Sequence, residues 1–238
     1  MNQQQLKKEI EKDLLNLADL IYKKGCQRFF KEKVKNMGVR VPDRRKIAKK
    51  YWQIIKNWEK KEILDLAEEL LKRDLGEYRT IAFQWSFELK NRFEKVDFNR
   101  WERWIDDYTK NWGAVDDFCT HSLGYFLVEF PQFLKEMNNW AKSKNRWKRR
   151  ATAVSLIYGV RRKTAGFLDQ IFEVAEILLK DEDDLVQKGY GWALKEASNN
   201  YQRQVWNWVM KGKENMPRTT LRYAVEKMSK ELKTKVMN

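Results

Sequence analysis

Turn-forming residues are scarce in this sequence. Only 10 glycines and 3 prolines occur among 238 residues. β-Sandwiches and barrels need many tight turns, and a Rossmann-type sheet needs a glycine-rich loop, so the composition excludes both classes. A hydrophobic content of 42%, with 13% aromatic residues, provides ample material for a core and excludes a disordered basic tail.

Cysteine and histidine are equally rare. Cys26 and Cys119 lie 93 positions apart, and His121 is the single histidine. No two of these side chains have the spacing of metal ligands in a sequence motif. We therefore expect no metal site, no cofactor and no disulfide framework.

Long apolar runs are also missing. The longest stretch without Asp, Glu, Lys or Arg is the eleven residues 118–128, whereas a membrane-spanning helix needs about 20 apolar residues. The first residues, MNQQQ followed by mixed charges, lack the apolar core of a secretion signal. We expect a cytoplasmic protein without a membrane partner.

The chain does have an excess of positive charge and a helical hydrophobic period. Its 49 Lys and Arg against 34 Asp and Glu leave a net charge of +15, which favours a polyanionic partner. Apolar residues recur three to four positions apart, as on one helix face. This spacing occurs at Leu6, Ile10, Leu14, Leu17 and Ile21, at Ile63, Leu66, Ala67, Leu70 and Leu71, and at Leu168, Ile171, Phe172, Ala175, Leu178 and Leu179. Residues 151–160 fit a buried strand equally well by periodicity, but their flanks favour a helix. We expect an all-α fold.

A short pattern recurs along the chain at a nearly constant period. It pairs one residue with a small residue three places later: Arg45 with Ala48, Arg79 with Ala82, Asp116 with Cys119, Arg150 with Ala153, Lys188 with Gly191, and Leu221 with Ala224. The first members are 34, 37, 34, 38 and 33 residues apart, which is room for two helices each. This period predicts an α-α superhelix of about six HEAT-like helical-hairpin repeats, forming a single domain over residues 1–238.

Equivalent positions of stacked hairpins face the same side, so Arg45, Arg79, Arg150 and Lys188 are predicted to line one basic surface. Asp116 is the acidic exception in this row. Trp112 precedes Asp116 by four residues, and Trp192 follows Lys188 by four. Cations and indole rings together suit a nucleic acid, because cations neutralise phosphates and indoles stack on bases or sugars.

Other residues of these types have simpler interpretations. Tryptophans at helical spacing mostly pack in cores, and we assign Trp52, Trp85 and Trp101 to packing. His121 lies about 140° around a helix from Asp116, which favours a packed histidine over a catalytic base. Asp117 points about 100° away from Asp116, which disfavours a paired-carboxylate site. The acidic run at residues 181–184 precedes an apolar helix and is predicted to cap it.

Five segments in order resemble the signatures of one family, the DNA alkylation repair (AlkD-like) glycosylases. They are residues 38–45 (GVRVPDRR), 111–116 (NWGAVD), 147–151 (WKRRA), 188–192 (KGYGW) and 221–227 (LRYAVEK). The resemblance implies a C-shaped solenoid whose concave face is basic. It also implies excision of the cationic bases N3-methyladenine and N7-methylguanine from duplex DNA, without flipping the base into a pocket.

The resemblance further implies roles for individual residues. Asp116 matches the catalytic aspartate, Trp112 and Trp192 match two tryptophans that contact the deoxyribose, and Arg150 matches an arginine that holds the backbone beside the lesion. Phe29 stands where the family has a tyrosine, so the ring is kept and the hydroxyl is lost. Lys195 replaces a phosphate-contacting arginine and keeps the charge without the bidentate fork. Arg45, Arg79 and Lys188 are the other expected DNA-backbone contacts.

The expected partner is therefore double-stranded DNA carrying an alkylated purine, bound by a monomer. Two alternatives remain open from the residues alone. One is a non-catalytic HEAT-like protein that binds nucleic acid, and the other is a solenoid scaffold for an acidic protein partner. The alignment of Asp116 with both tryptophans favours the enzyme, since phosphate binding alone would be better served by another arginine.

Overall fold

The computed structural model describes all residues 1–238 and contains helices but no strand, which confirms the predicted all-α class. The ambiguous residues 151–160 form no strand: they are helical apart from a turn at Leu156. In chain order the α-helices are α1 Gln3–Asn16, α2 Leu20–Cys26, α3 Val41–Ile55, α4 Lys60–Lys72, α5 Gly76–Glu88, α6 Asp97–Tyr108, α7 Trp112–Phe118, α8 Gly124–Glu129, α9 Glu136–Trp140, α10 Arg146–Ser155, α11 Ile157–Arg161, α12 Phe167–Leu178, α13 Asp184–Gly212, α14 Arg218–Ala224 and α15 Lys230–Met237. No helix is both long enough and apolar enough to span a bilayer.

The chain divides into two compact units, Met1–Glu94 and Lys95–Asn238. In the first unit, α5 packs against α3 and α4. The apolar face predicted around residues 63–71 is buried, because it supplies the core side of α4. The single domain over residues 1–238 stays a prediction.

A buried ion pair fixes the segment before α3. The carboxylate of Glu77 is fully buried and accepts hydrogen bonds from the backbone N–H groups of Met37, Gly38 and Val39 at 2.9, 3.2 and 3.2 Å. Arg44 donates to the same carboxylate at 2.9 Å. Gly38 has φ +99°, a conformation that other residues rarely adopt, and an added Cβ would lie 2.2 Å from the carbonyl oxygen of Asp19. The motif at residues 38–45 is therefore a structural corner of the first unit.

In the second unit, α10 packs against both α7 and α13, and α13 packs against α14. These are the helices that carry the repeat pattern. Its small residues are all buried in both units: Ala48, Ala82, Cys119, Ala153, Gly191 and Ala224.

Asp183 is the N-cap of α13 and accepts from the N–H groups of Leu185 and Val186, which confirms the predicted acidic cap. Trp85 and Trp101 are fully buried as predicted, whereas Trp52 is only partly covered.

The repeat period is also visible in side-chain hydrogen bonds. Within each unit, polar contacts join residues that are about one repeat apart. They include Arg44 with Glu77, Lys60 with Glu94, Trp85 with the carbonyl of Ala48, Arg150 with Asp116, Arg149 with Asp181, and Thr220 with the carbonyl of Gln187. Neighbouring repeats are thus tied by polar contacts as well as by the shared core.

The close approach of α11 and α12 generates a test of this packing. A Cβ on Gly159 would lie 2.3 Å from the ring of Phe167, which is fully buried. We expect Gly159→Ala to lower the free energy of unfolding by about 1–3 kcal/mol through overpacking, measured by urea denaturation.

Gly25→Ala is the matched control, because no heavy atom lies within 4 Å of the added Cβ at this helical position. We expect it to leave stability unchanged or to raise it by about 0.4–1 kcal/mol. Equal losses from both variants would contradict the packing of Gly159 against Phe167.

Candidate functional site

Asp116 and Arg150 form a bidentate ion pair between α7 and α10. Arg150 Nε donates to Asp116 Oδ1 and Arg150 Nη2 donates to Oδ2, both at 2.9 Å. This geometry matches the planar guanidinium fork to both carboxylate oxygens and is the strongest form of such a pair. The two residues are equivalent members of adjacent repeats, 34 positions apart.

Arg150 is held from its other side by α13. Its Nη1 donates to the carbonyl oxygen of Leu185. Gly189 faces the same side chain, and a Cβ there would lie 3.1 Å from Arg150 Cγ. The absence of a side chain at position 189 therefore gives the guanidinium room to pass between α10 and α13. The side chain of Arg150 is only 6% exposed.

Asp116 keeps an open side. Its side chain is 18% exposed, and a carboxylate offers about four acceptor positions, of which Arg150 uses two. Burial raises the pKa of Asp116 above its ordinary value, while the charge of Arg150 and its hydrogen bonds work in the opposite direction. The carboxylate is thus a basic, partly desolvated group with acceptor capacity to spare.

The thiol behind this pair is not available for chemistry. Cys119 is fully buried, and burial, with the charge of Asp116, raises the pKa of its thiol well above the ordinary value. A protonated thiol is a poor nucleophile. No group of three or more His, Cys, Asp or Glu side chains is placed to hold a metal ion.

The helix that carries Asp116 has a defined start and an unusual continuation. Asn111 caps α7 by accepting from the N–H of Ala114 at 2.9 Å, so Trp112 is the first helical residue. Directly after α7, residues Cys119–Leu123 form a π-helical turn. Such turns are rare and are frequent at functional sites.

His121 lies in this π-helical turn and faces Asp117. Its Nδ1 is 2.7 Å from the carbonyl oxygen of Asp117 and 3.3 Å from Thr120 Oγ1. The side chain is 40% exposed, so it is less packed than we expected from the sequence. Asp117 and His121 contact each other, consistent with the prediction that Asp117 does not pair with Asp116.

Trp192 is anchored by two residues that the sequence analysis missed. Its indole Nε1 donates to Glu196 Oε1 at 3.0 Å, and Arg161 Nε donates to Glu196 Oε2 at 2.8 Å. The Arg161 guanidinium carbon lies 6.0 Å from the centre of the Trp192 ring. Hydrogen bonds from Arg161 and Trp192 lower the pKa of Glu196 against the opposing effect of burial, so Glu196 is ionised. The sequence spacing could have predicted these contacts, because Glu196 follows Trp192 by one helical turn and follows Arg161 by one repeat.

The structure brings some of the predicted residues together within the second unit and places others in the first unit. Asp116 and Arg150 are in contact, and Trp112 lies one turn before Asp116 on α7. Trp192 lies on α13, one turn beyond the Gly189 that contacts Arg150. Both tryptophans are half-buried. Phe29, Arg45 and Arg79 belong to the other unit of the chain.

The predicted basic row is less exposed than its spacing implies. Arg150 is buried against Asp116, and Arg79 pairs with Asp74 at 3.3 Å. Lys188 pairs with Asp184 at 3.0 Å, and Lys195 with Glu226 at 2.8 Å. Acidic residues thus compensate these cations, either from nearby in the sequence, as at Asp74 and Asp184, or from the adjacent repeat, as at Asp116 and Glu226.

The remaining predicted contacts, Arg45 and Phe29, are exposed in the first unit. Phe29 presents 59% of its surface to solvent, with the guanidinium of Arg28 4.8 Å from the centre of its ring. An exposed aromatic ring of this size is available for contact with a ligand.

Arg150 compensates the charge of a partly desolvated carboxylate. A double-mutant cycle on Arg150 and Asp116 tests this interaction. We expect Arg150→Met to lower the free energy of unfolding by about 3 kcal/mol at neutral pH, since it leaves Asp116 unpaired. Asp116→Asn combined with Arg150→Met is expected to cost less than the sum of the two single variants. Denaturant unfolding of the four proteins measures the coupling, and simple additivity would contradict the pair.

Comparison with known proteins identifies the family. The family model described as "DNA alkylation repair enzyme" matches residues 10–228. A solved structure, the "Predicted DNA alkylation repair enzyme from Enterococcus faecalis", is 18% identical with a TM-score of 0.77, over 90% of this chain and 97% of that one. No curated protein matches the chain. The structural likeness shows a shared fold and supports the predicted α-α superhelical class. Through the family match, which covers most of its length, the chain belongs to the DNA alkylation repair enzyme family.

Proposed function

We propose that the protein is a DNA glycosylase that excises cationic alkylated purines, N3-methyladenine and N7-methylguanine, from duplex DNA. The observation that carries this proposal is Asp116: a single, partly desolvated carboxylate, held in place by Arg150 and one turn from Trp112. Because the chain belongs to the DNA alkylation repair enzyme family, we place this carboxylate in a repair enzyme that acts on DNA.

The chemistry needs little more than one carboxylate. Alkylation at N3 or N7 leaves the purine positively charged, so it departs as a neutral base when the electron pair of the glycosidic bond moves onto it. No general acid is required for this leaving group. Positive charge then develops on the deoxyribose, as in other oxocarbenium-like transition states.

Asp116 would act on that developing cation. The acceptor positions not used by Arg150 can stabilise the sugar electrostatically and take a proton from the attacking water. The water oxygen forms the new bond at C1′, and the products are an abasic site and the neutral alkylpurine. A raised pKa makes Asp116 a better base than an ordinary aspartate.

The tryptophans would support the same transition state. The electron-rich faces of Trp112 and Trp192 attract a cationic sugar, and the ionised Glu196 on the indole N–H fixes the Trp192 ring in one orientation. The base is expected to remain largely stacked, in keeping with the family resemblance, rather than enter a pocket.

In this proposal the main role of Arg150 differs from the DNA-backbone contact that the family resemblance implies. Three of its donors are engaged by Asp116 and Leu185, so it positions the catalytic carboxylate. Arg45, Arg79, Lys188 and Lys195 remain proposed DNA-backbone contacts, and Phe29 a proposed lesion contact. A cytoplasmic monomer remains our expectation.

Substitution of the carboxylate tests the assignment. We expect Asp116→Asn to retain duplex binding but to slow release of N7-methylguanine by on the order of 10²–10³-fold, because the charge that stabilises the transition state is gone. Single-turnover release from a duplex with one N7-methylguanine measures the effect.

Asp117→Asn is the matched control, since it removes a neighbouring carboxylate that faces His121. We expect it to release the base at nearly the wild-type rate. Equal release by wild type and Asp116→Asn would overturn the catalytic assignment and favour a non-catalytic DNA-binding protein. Absence of duplex binding even at low salt would favour the acidic-protein scaffold.

The pH dependence of base release tests the state of Asp116. Protonation removes the stabilising charge, so the enzyme-dependent rate should fall as the pH falls. Because the pKa of Asp116 is raised, the midpoint should lie above the ordinary aspartate value of about 3.9. Subtraction of the Asp116→Asn rate at each pH corrects for acid-driven depurination, and a midpoint at or below the ordinary value would contradict the prediction.

A further inference from the structure

A basic pocket lies near the end of the second unit, outside the site around Asp116. Its volume is about 600 Å³, and its lining includes residues of α13, α14 and α15. Three cations, one carboxylate and two hydroxyl side chains contribute to it: Lys188, Arg222 and Lys233, then Glu226, then Thr219 and Tyr223. Cations with hydroxyl donors are the groups that proteins use for phosphate oxygens.

The charges in this pocket are not balanced. Lys188 pairs with Asp184 at 3.0 Å, and Glu226 is compensated by Lys195 at 2.8 Å. Arg222 and Lys233 have no ion pair or side-chain hydrogen bond within the chain. This contrasts with Arg79, Arg150 and Lys195, whose charges are matched by carboxylates. The pocket therefore holds two positive charges that the protein itself does not neutralise.

The position of the pocket relates it to the lesion site. Lys188 lines the pocket and lies four residues before Trp192 on α13. Four residues of helix rise by about 6 Å, and successive nucleotides of one strand rise by about 3.4 Å. One edge of the pocket therefore lies about one helical turn from Trp192, a span comparable to one or two nucleotides of a strand.

We propose that this pocket binds a phosphate of the DNA backbone, with Arg222 and Lys233 as the residues that neutralise it. The assignment rests on the proposed function for the identity of the ligand. It names two phosphate-binding residues that the repeat pattern does not contain, since position 221 of that pattern is leucine. Arg222 can engage two phosphate oxygens at once, and Lys233 supplies a second charge.

Salt-dependent binding of an unmodified duplex tests the proposal. Each phosphate neutralised by a protein cation contributes about 0.9 to the slope of log K against log salt. We expect Arg222→Gln with Lys233→Gln to reduce that slope by about 1, measured by fluorescence anisotropy of a labelled duplex over a range of NaCl concentrations.

Lys227→Gln with Lys230→Gln is the matched control, because it removes the same charge from exposed residues of the same segment that do not line the pocket. We expect the control to retain the wild-type slope. An unchanged slope in the pocket variant, or an equal reduction in the control, would overturn the proposal.

Titration with free anions shows whether the pocket binds a phosphate of the DNA backbone or a small ligand. We expect inorganic phosphate and deoxyadenosine monophosphate to shift the amide resonances of Thr219 and Tyr223 only weakly, and a duplex to shift them at far lower concentration. Tight binding of either small anion, with no change in the duplex slope, would overturn the backbone assignment.

Base release separates this inference from the proposed function. We expect the control variant, Lys227→Gln with Lys230→Gln, to release N7-methylguanine at the wild-type rate, because it alters neither the pocket nor Asp116. If the wild-type protein releases no base but the pocket variant still reduces the salt slope, the glycosylase proposal fails and the phosphate site stands.

Discussion

One electrostatic constraint governs the second unit: the carboxylate of Asp116 lies among packed helices and must be compensated there. Removing an ionised group from water costs several kcal/mol unless a well-aligned partner compensates for it. Arg150 compensates Asp116 with two parallel hydrogen bonds from the neighbouring repeat. Because the same guanidinium also donates to the carbonyl oxygen of Leu185 on α13, Arg150 links α7, α10 and α13. The carboxylate keeps its acceptor capacity on the open side only because the buried side is already satisfied.

Much of the fold could be predicted because it follows from spacing. Apolar residues three and four positions apart predict α4 and α12. The face predicted from Leu6 to Ile21 holds only as far as Leu14, because α1 ends at Asn16 and Ile21 is exposed. The six small residues of the repeat pattern are buried as close packing requires. The acidic cap at Asp183 follows from the free N–H groups of a helix start. These features depend on near neighbours in the sequence or on a constant period.

The electrostatics could not be predicted in the same way. The repeat pattern places Asp116 and Arg150 on adjacent helices, but it does not show that their side chains point toward each other. The acids that compensate Arg79, Lys188 and Lys195 lie outside the pattern, at Asp74, Asp184 and Glu226. A net charge of +15 therefore describes the long-range field of the molecule, whereas the cations available to a ligand depend on local pairing.

The glycine at position 189 has a consequence for how this sequence can change over evolution. Its missing side chain leaves the channel through which Arg150 reaches Asp116. Even an alanine there would place its Cβ 3.1 Å from Arg150 Cγ, so the stem of Arg150 would have to shift. The alignment of Asp116 with Arg150 thus depends on a third position that carries no side chain. Substitutions at positions 116, 150 and 189 are therefore expected to be coupled, and natural changes at these positions to be correlated.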